Sequence, residues 1–368
     1  MKPLFWIAAF VIVYVYVGYP ALLVAWARFA SRPVRGAPVE LPVSIIVAVR
    51  NEAARLAARL NNLLSLEYAA EWLQIIVVSD GSTDATRELL ARYAGRIDVV
   101  WLPLGGKPRA LNAGVQAAKH DILVFTDARQ TFAPDALHAL VAPFADPSVG
   151  AVSGELILDC ETGAASSTIG EGIGLYWRYE KLLRRLESAV RSEIGATGAI
   201  YALRRSLWRP LPPDTILDDV LAPMRAALAG ARVVFESRAR AFDRTAAHAG
   251  AESRRKIRTL AGNYQILWLE PRLLLPIVNP VWLQYVSHKI GRLLVPYALT
   301  ALFVSSAALA GTGIVYATAF AGQLMFYALA AYGSVLDRRE RTRFEPARVA
   351  RDTDSDVPIR EGSGTWAA

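Results

Sequence analysis

The sequence predicts an α/β protein with a doubly wound, mostly parallel sheet covered by helices on both faces, and three transmembrane helices, one N-terminal and two C-terminal. Short runs of branched apolar residues alternate with helical patterns from Val43 onward. A polar motif follows each of the first four runs, and one long uncharged segment lies near each end of the chain. Such alternation is typical of α/β domains, and uncharged segments of this length are typical of membrane spans.

The composition indicates a soluble domain joined to membrane spans. Of 368 residues, 54% are hydrophobic and 20% charged, and the mean hydropathy is +0.27. This is too apolar for an ordinary soluble domain and too charged for a wholly embedded chain. The single cysteine, Cys160, permits no intramolecular disulfide and agrees with a reducing compartment. The net charge of +8 lies largely at span ends, so membrane lipids, and no nucleic acid, are the expected partners.

Two uncharged segments define the predicted spans. No charge occurs between Lys2 and Arg28, and Leu4–Ala25 as a helix would measure ~33 Å against a hydrocarbon core of ~30 Å. We therefore predict an uncleaved anchor over residues 1–30 rather than a signal peptide. The uncharged run from Arg292 to Asp337 suits two crossings, broken at Gly311–Gly313. Residues 292–336 are thus predicted to form a transmembrane helical hairpin.

Basic residues at the span ends predict the orientation. They follow the first span, precede the second and follow the third: Arg28, Arg32, Arg35, Lys289, Arg292, Arg338, Arg339, Arg341 and Arg343. The positive-inside rule then places the central domain and the tail in the cytoplasm and the N-terminus outside. Residues 269–291 are predicted to be an interfacial segment. The charged tail, 337–368, is predicted to be disordered.

Five apolar runs in the central domain are predicted strands. Four of them, VSIIVAV, LQIIVVS, VVWLPL and DILVFT, lie between Val43 and Thr126, with amphipathic stretches after the first three. Pro134 opens a further helix, and VGAVSGELIL is a fifth strand. Continuous apolar strands separated by helices indicate a parallel sheet buried on both faces.

The four polar motifs fall at the same end of their strands. They are Arg50-Asn51-Glu52, the segment from Asp80 to Asp84, Gly105-Gly106-Lys107 and Asp127-Ala128-Arg129. In an open parallel sheet the carboxyl ends of the strands share one rim, where such folds bind ligands. The first strand-to-helix turn reads VRNEAARL, which lacks the glycines of a dinucleotide-binding Rossmann domain. We therefore expect four loops to converge on a single site of another kind.

The segments SIIVAVRNE, VVSDGSTDAT, GGKPRALNAG and FTDARQ, in this order, resemble membrane-bound family 2 glycosyltransferases of the GT-A fold, relatives of cellulose and hyaluronan synthases. The resemblance covers residues 41–268 and the predicted hairpin that follows. It implies inverting transfer from a nucleotide-diphosphate sugar, usually a UDP-sugar, with a divalent metal, Mg²⁺ or Mn²⁺. It also implies a glycan or lipid-linked acceptor and a bacterial inner-membrane location with a cytoplasmic catalytic domain.

By this resemblance Glu52 and Asp80 contact the nucleoside. Their carboxylates can accept hydrogen bonds from donor groups of the base and the ribose. Glu52 could equally be a first-turn acid favoured by the helix dipole, and Asp80 a turn residue. Asp84 is better explained as a helix N-cap. Lys107, after two glycines, is expected to approach the nucleotide, with a solvated loop lysine as the alternative.

Asp127 ends a strand, where an unpaired carboxylate would be costly to bury, and is the predicted metal ligand. The family usually places a second acid or an amide two residues later, whereas this chain has Arg129. Magnesium can bind through one carboxylate plus substrate phosphates, so Asp127 alone is chemically sufficient. Arg129 is then either a fixed charge beside the diphosphate or a solvent-facing side chain.

Asp218 and Asp219 match the acidic pair of the family, whose second member is the catalytic base. An inverting displacement needs one carboxylate to accept the proton of the acceptor hydroxyl. Asp219 is the candidate base, and Asp218, also assigned to the catalytic pair, could instead cap the following helix.

The segment RRKIRTLAGNYQILW, Arg254 to Trp268, matches the family pattern Q-x-x-R-W only in part. Arg255, Arg258 and Thr259 stand at the matching places, so the arginine is retained while the glutamine and tryptophan are not. Arg255 and Arg258 are predicted to reach the diphosphate from one helix face. The alternative is a basic membrane-surface helix, which we expect for Arg254. Without the stacking tryptophan, transfer of one or few sugars is expected.

The competing function is a catalytically degenerate, membrane-anchored protein that binds sugar nucleotides or acts as a scaffold. Arg129 and Thr259, the two departures from the family pattern, motivate it. None of the four histidines has ligand-like spacing, so no histidine metal site is predicted. The stretch from Leu175 to Glu187 is predicted to be an amphipathic helix that packs on the sheet or the membrane.

Overall fold

The computed structural model describes residues 1–37, 39–158, 168–243 and 249–353. The strands are β1 Val43–Val49, β2 Leu73–Asp80, β3 Asp98–Leu102, β4 Ile122–Thr126, β5 Thr131–Phe132, β6 Val149–Leu158, β7 Tyr201–Arg204 and β8 Arg232–Asp243. The helices are α1 Lys2–Val13, α2 Tyr19–Ala30, α3 Ala53–Leu64, α4 Thr86–Ala91, α5 Lys107–Ala117, α6 Ala136–Val141, α7 Thr168–Val190, α8 Asp218–Leu228, α9 Ala249–Leu269, α10 Trp282–Tyr285, α11 Gly291–Leu309 and α12 Ile314–Thr353.

One eight-stranded sheet, in the order β3-β2-β1-β4-β7-β6-β8-β5, organises the central domain. The first four strands of this order are parallel neighbours, with Ile45 beside Ile75 and Val124. Because parallel strands end at one edge, Asp80 and the residues after Val49 and Thr126 lie on the same rim. The predicted convergence of the rim loops follows from this topology.

The sheet is buried on both faces, as its continuous apolar strands predict. Along β1, Ile45 and Val47 belong to one buried cluster and Ile46 to another on the opposite face. Helix α3 covers the first face through Leu56 and Leu60, and α5 covers the second through Leu111. The alternation of β-strand side chains therefore splits each hydrophobic run between two cores.

Three strands lie outside the sequence prediction. β7 pairs antiparallel with β4 and β6, and β5 pairs antiparallel with β8, while β6 and β8 are parallel. β5 has two residues and β7 has four, which is too short for a periodic signal. β8 alternates charged and apolar residues because part of it is solvent-exposed.

Within the described residues, three helical stretches are long and apolar enough to cross a membrane: Lys2–Ala30, Trp282–Thr312 and Ile314–Gly333. A π-helical turn, Tyr14–Gly18, joins α1 to α2 without a break. The two C-terminal apolar helices are separate, because α11 ends at Leu309 and α12 begins at Ile314.

Two boundaries differ from the expectation. The second apolar stretch begins at Trp282 rather than at residue 292, because a π-turn, Val286–Ile290, carries polar side chains inward and keeps the helix continuous. Helix α12 continues to Thr353, whereas disorder was expected from residue 337. Arginine, alanine and glutamate in this stretch have high helix propensity, which the charge-based expectation ignored. The rest of the tail, 354–368, lies outside the described residues.

The chain divides into two compact units, Val11–Pro296 and a smaller one formed by Met1–Phe10 with Tyr297–Ala368. In the smaller unit the ring of Phe5 packs edge-on against Tyr316, with centroids 4.8 Å apart. In the larger unit α7 packs on α2, where Leu183 contacts a cluster containing Leu23. The amphipathic stretch predicted from residue 175 to residue 187 thus buries its apolar side on the N-terminal helix.

A buried polar group also joins α2 and α7. The hydroxyl of Tyr19 donates to Oε1 of Glu187 at 2.6 Å, and Nδ1 of His288 lies 2.7 Å from the same oxygen. All three side chains are buried. Because a buried carboxylate is costly without partners, these contacts stabilise the junction of α2, α7 and the π-turn before α11.

Candidate active site

A cavity of about 320 Å³ opens at the rim where the parallel strands end. Five predicted site residues line it: Glu52, Asp80, Lys107, Asp127 and Arg129. A larger cavity of about 470 Å³ takes its polar lining from Asp135, His138, Glu236 and Arg238, outside the four rim motifs. The rim cavity is therefore the candidate active site.

Asp80 shapes the loop that carries Lys107. Its two carboxylate oxygens accept the backbone N–H groups of Gly105 at 2.7 Å and Gly106 at 2.9 Å. Gly106 has φ +87°, a left-handed conformation that favours glycine, and α5 begins at the next residue. The Asp80 side chain thus fixes the turn that aims Lys107 into the cavity.

Two other rim acids lie at helix starts. Glu52 immediately precedes α3 and faces the cavity. Asp84 accepts the backbone N–H of Thr86 at 3.1 Å, at the start of α4, and that of Ala53 at 3.1 Å. The N-cap position of α4 is Ala85, so Asp84 lies one residue before the predicted cap and still accepts the first N–H group of the helix.

Lys107 joins the rim acids to the acidic pair on α8. Its ammonium nitrogen lies 3.1 Å from Oδ1 of Asp127 and 3.2 Å from Oδ1 of Asp218. Burial opposes the charge, but Asp218, Asp127 and Asp219 together raise the pKa of Lys107 above its ordinary value. A positive charge therefore stands between the cavity and the candidate base.

Asp219 is held by the loop before β7. Oδ2 of Asp219 accepts the backbone N–H of Gly198 at 3.0 Å, and its backbone oxygen accepts the N–H of Ala196 at 2.8 Å. A Cβ atom at Gly198 would stand 3.0 Å from that carboxylate oxygen, so a larger residue would displace the Asp219 side chain slightly. The small residues of this loop thus support the acidic pair.

The electrostatic environment suits Asp219 to proton transfer. Burial and the neighbouring Asp218 raise the pKa of Asp219 to about 6, although the charges of Lys107 and Lys289 lower it. At neutral pH the carboxylate is largely ionised yet more basic than an ordinary aspartate. A general base with a pKa near the working pH is effective in catalysis.

Asp127 suits a divalent metal as a single protein ligand. Its side chain is 33% exposed in the cavity, and Oδ1 contacts Lys107. Among the described residues, no group of three or more histidine, cysteine or acidic side chains could hold a metal by itself. A site completed by donor phosphates and water fits this donor set, because Mg²⁺ often takes one or two carboxylates.

Arg129 lines the cavity but is also ion-paired. Its Nε lies 2.9 Å from Oδ2 of Asp243 at the end of β8. About half of the side chain is exposed. The guanidinium is thus fixed at the cavity rather than directed freely into solvent.

Arg255 and Arg258 are not among the residues that line the cavity in the described part of the chain. Arg258 is exposed on α9. The helix itself is tied to the loop before the acidic pair, since Oε1 of Gln265 accepts the N–H of Ile216 at 2.9 Å. Gly262 packs closely on Leu217, the residue before Asp218. A role of the two arginines at the diphosphate remains a prediction.

Three residues near the site escaped the sequence analysis. The charge of Lys289 acts on Asp219, although the sequence indicated only a span-end cation. Tyr201 is fully buried, and burial and the carboxylates of Asp218, Asp219 and Asp127 raise its pKa. Arg59 is buried on α3 and donates to Thr126, the residue before Asp127. An arginine on the apolar face of a helix was a usable signal.

Comparison with known proteins finds similar sequences. Residues 44–201 match the model of glycosyl transferase family 2. The poly-beta-1,6-N-acetyl-D-glucosamine synthase of Staphylococcus aureus (strain COL) is 24% identical over 243 residues, covering 61% of this chain and 55% of the relative. The Staphylococcus epidermidis synthase of that name is 23% identical over 240 residues, with the same coverage. The chain thus spans about half the length of the curated relatives it matches.

A solved structure has the same fold. The mannosyltransferase PcManGT from Pyrobaculum calidifontis, in complex with GDP-Man and Mn²⁺, superposes with a TM-score of 0.68 at 21% identity. The match covers 96% of this chain and 100% of the other. The predicted GT-A fold is therefore confirmed. The matched segment and the synthase relatives are similarities to glycosyl transferase family 2 that agree with this fold.

Proposed function

We propose that this protein is an inverting glycosyltransferase that moves a sugar from a UDP-sugar to a lipid-linked or polysaccharide acceptor at the cytoplasmic face of the membrane. The observation that carries the proposal is the bridge made by Lys107. It contacts Asp127 in the cavity and Asp218 beside the candidate base. Donor-binding groups and a proton acceptor are thereby adjacent, as a single displacement requires.

In the proposed reaction Asp219 accepts the proton of the acceptor hydroxyl. The hydroxyl oxygen forms a bond to the anomeric carbon as the bond from that carbon to the diphosphate oxygen breaks. UDP leaves, and attack from the opposite side inverts the anomeric centre. Lys107 and Arg129, which line the cavity, stabilise the negative charge that develops on the diphosphate.

Asp127 would hold the divalent metal, Mg²⁺ or Mn²⁺. When bound, the metal supplies further positive charge for the leaving diphosphate. Glu52 and Asp80 would face the nucleoside side of the donor, and Asp80 does so partly through the Gly105–Gly106 turn that it orders. Arg255 and Arg258 would approach the diphosphate from α9 when the donor is bound.

The part of α9 that we expect to face the acceptor favours short products. Thr259 stands where the family pattern has a stacking tryptophan, and it is exposed on α9. Its hydroxyl donates to the backbone oxygen of Arg255 at 3.0 Å instead of offering an aromatic surface. Transfer of one or few sugars fits this helix better than the gripping of a long polymer. The apolar helices Lys2–Ala30 and Trp282–Thr312 would keep the site at the membrane, near a lipid-linked acceptor.

The experiment that tests the proposal uses the purified full-length chain in lipid nanodiscs. Released nucleotide diphosphate is measured with UDP-N-acetylglucosamine, UDP-glucose, UDP-galactose and GDP-mannose, the first chosen because of the synthase relatives. Release with one donor, lost in Asp219→Asn while UDP still binds, supports the proposal. Near-normal release by Asp219→Asn contradicts the assignment of the base.

A non-catalytic protein that binds sugar nucleotides is the competing candidate, because Arg129 takes the place of an acid and is paired with Asp243. It predicts UDP binding without release from any donor, even when acceptor lipids are added. Absence of UDP binding would contradict both candidates.

A further inference from the structure

Arg59 is a charged side chain on the face of α3 that packs into the hydrophobic core. It is 2% exposed and shares the buried helix face with Leu56, Leu60 and Leu63. Burying a guanidinium is costly unless its charge and its N–H groups have partners. The burial of Arg59 therefore needs a structural or functional explanation.

Its partners are neutral groups at the end of β4 and on α3. Nη2 donates to Oγ1 of Thr126 at 2.7 Å, and Nη1 donates to Oδ1 of Asn62 at 2.7 Å. The guanidinium also lies over the ring of Phe132, 4.2 Å from its centroid. In the described parts of the chain, no carboxylate forms an ion pair with it. Burial lowers the pKa of Arg59 to about 9, against the charge of Asp127, so the side chain stays charged at neutral pH.

These contacts hold both ends of the turn that carries Asp127 and Arg129. At one end, Thr126 is the last residue of β4 and binds Arg59. At the other end, Asn62 accepts the N–H of Phe132 at 2.8 Å and donates to its backbone oxygen at 3.0 Å. Since Arg59 and Asn62 bind each other, one helix fixes the entire turn.

The same contacts continue towards the candidate base. The hydroxyl of Thr126 accepts from Arg59 and donates to the backbone oxygen of Ala199 at 2.7 Å. The preceding residue, Gly198, donates its N–H to Oδ2 of Asp219 at 3.0 Å. Hydrogen bonds and the two-residue backbone segment Gly198–Ala199 thus join Arg59 to Asp219.

We propose that Arg59 is a positioning residue for sugar transfer. Through Thr126 it holds the turn that carries Asp127 at a fixed distance from the Gly198–Ala199 loop. The proposal rests on the proposed function, because that separation is the distance between the donor site and the base. Arg59 is not among the described residues that line the rim cavity. Its buried, planar fork can bind Thr126 and Asn62 at once, which a lysine ammonium cannot do in the same geometry.

The test compares matched variants of the full-length chain. Thr126→Val removes the hydroxyl but keeps the shape, and Thr126→Ser keeps the hydroxyl. Arg59→Lys keeps the charge, and Arg59→Met removes both charge and fork. Arg55→Met, at an exposed position one turn earlier on α3, is the control. For each protein we would measure the unfolding midpoint, the affinity for UDP, and kcat and KM for the donor that the wild type uses.

We expect kcat to fall by about tenfold or more in Thr126→Val, Arg59→Lys and Arg59→Met, because small displacements of reacting groups are costly. UDP affinity and donor KM should change little. Thr126→Ser and Arg55→Met should stay close to wild type. The Arg59→Met/Thr126→Val double variant should be no slower than the slower single variant, because both lose the same contact.

Equal kcat in Thr126→Val and Thr126→Ser would overturn the proposal, as would multiplied losses in the double variant. If Arg59→Met does not fold, the Thr126 pair decides. If Thr126→Val does not fold either, the contact serves the stability of the fold, and the positioning role is overturned. Failure of the wild type to release nucleotide from any donor would instead contradict the proposed function, so the two failures are distinguishable.

Discussion

The ammonium nitrogen of Lys107 lies 3.2 Å from Oδ1 of Asp218. The lysine opens α5 after the third strand, and the aspartate opens α8 after the seventh. Their contact makes the donor cavity and the acidic pair one electrostatic unit. Changes on either side of this contact should therefore affect the other.

Lys107→Met tests that unit. Loss of the ammonium removes a charge that lowers the pKa of Asp219, so the acid limb of the kcat–pH profile should move to higher pH. Affinity for UDP should also fall, because a cation beside the diphosphate is lost. Lys119→Met is the control, since Lys119 pairs with Asp98 on the surface, away from the cavity. An unchanged acid limb would contradict the coupling.

The wild-type profile should itself show the raised pKa of Asp219. The base must be ionised, so kcat should rise as pH increases through about 6 and level off above it. In Asp218→Asn a neighbouring negative charge is removed, and the limb should move to lower pH. The measurement is kcat at saturating donor from pH 4.5 to 9. If the acid limb of Asp218→Asn stays at the wild-type pH or moves to higher pH, Asp219 is not the titrating group.

Asp127→Ala tests the metal ligand. Turnover should fall by about a hundredfold, because the charge stabilisation of the leaving group is lost. Chelation should abolish wild-type activity, and Mg²⁺ or Mn²⁺ should restore it. Asp121→Ala, at an exposed position at the other end of β4, should behave as wild type. Full activity of the chelated enzyme would refute the metal role of Asp127.

Tyr19→Phe tests the polar junction of α2 and α7. Removing the hydroxyl takes a donor from buried Glu187 and should destabilise the folded state by about 1–3 kcal/mol. Tyr16→Phe, an exposed position on the same helical stretch, should have little effect. The readout is the unfolding midpoint in one detergent at one pH. Equal midpoints for the two variants would show that the contact contributes nothing to stability.

Local sequence patterns predicted much of the sheet and the membrane helices. The runs that form β1, β2 and β4 are mainly apolar because both faces of the sheet are covered. The break before Ile314 coincides with two glycines. The rim motifs follow their strands directly. These features depend on neighbours in sequence, so periodicity and turn residues are sufficient to find them.

Other features depend on residues far apart in sequence. β7 was not predicted because four residues form a strand only between two partners. The pairing of Arg129 with Asp243 was not predicted because β8 returns to the rim late in the chain. The proposed role of Arg59 likewise needs the position of Thr126 and Ala199.

By itself, then, the sequence determined the α/β class, the three apolar helices and the acids and lysine that face the rim cavity. Only the tertiary structure decided which charges meet: Lys107 between Asp127 and Asp218, and Arg129 against Asp243. The physical reason is the distance along the sequence over which each interaction acts. Hydrophobic periodicity acts within one element, whereas the charge on Lys107 and the pKa of Asp219 are set by side chains brought together from separate elements.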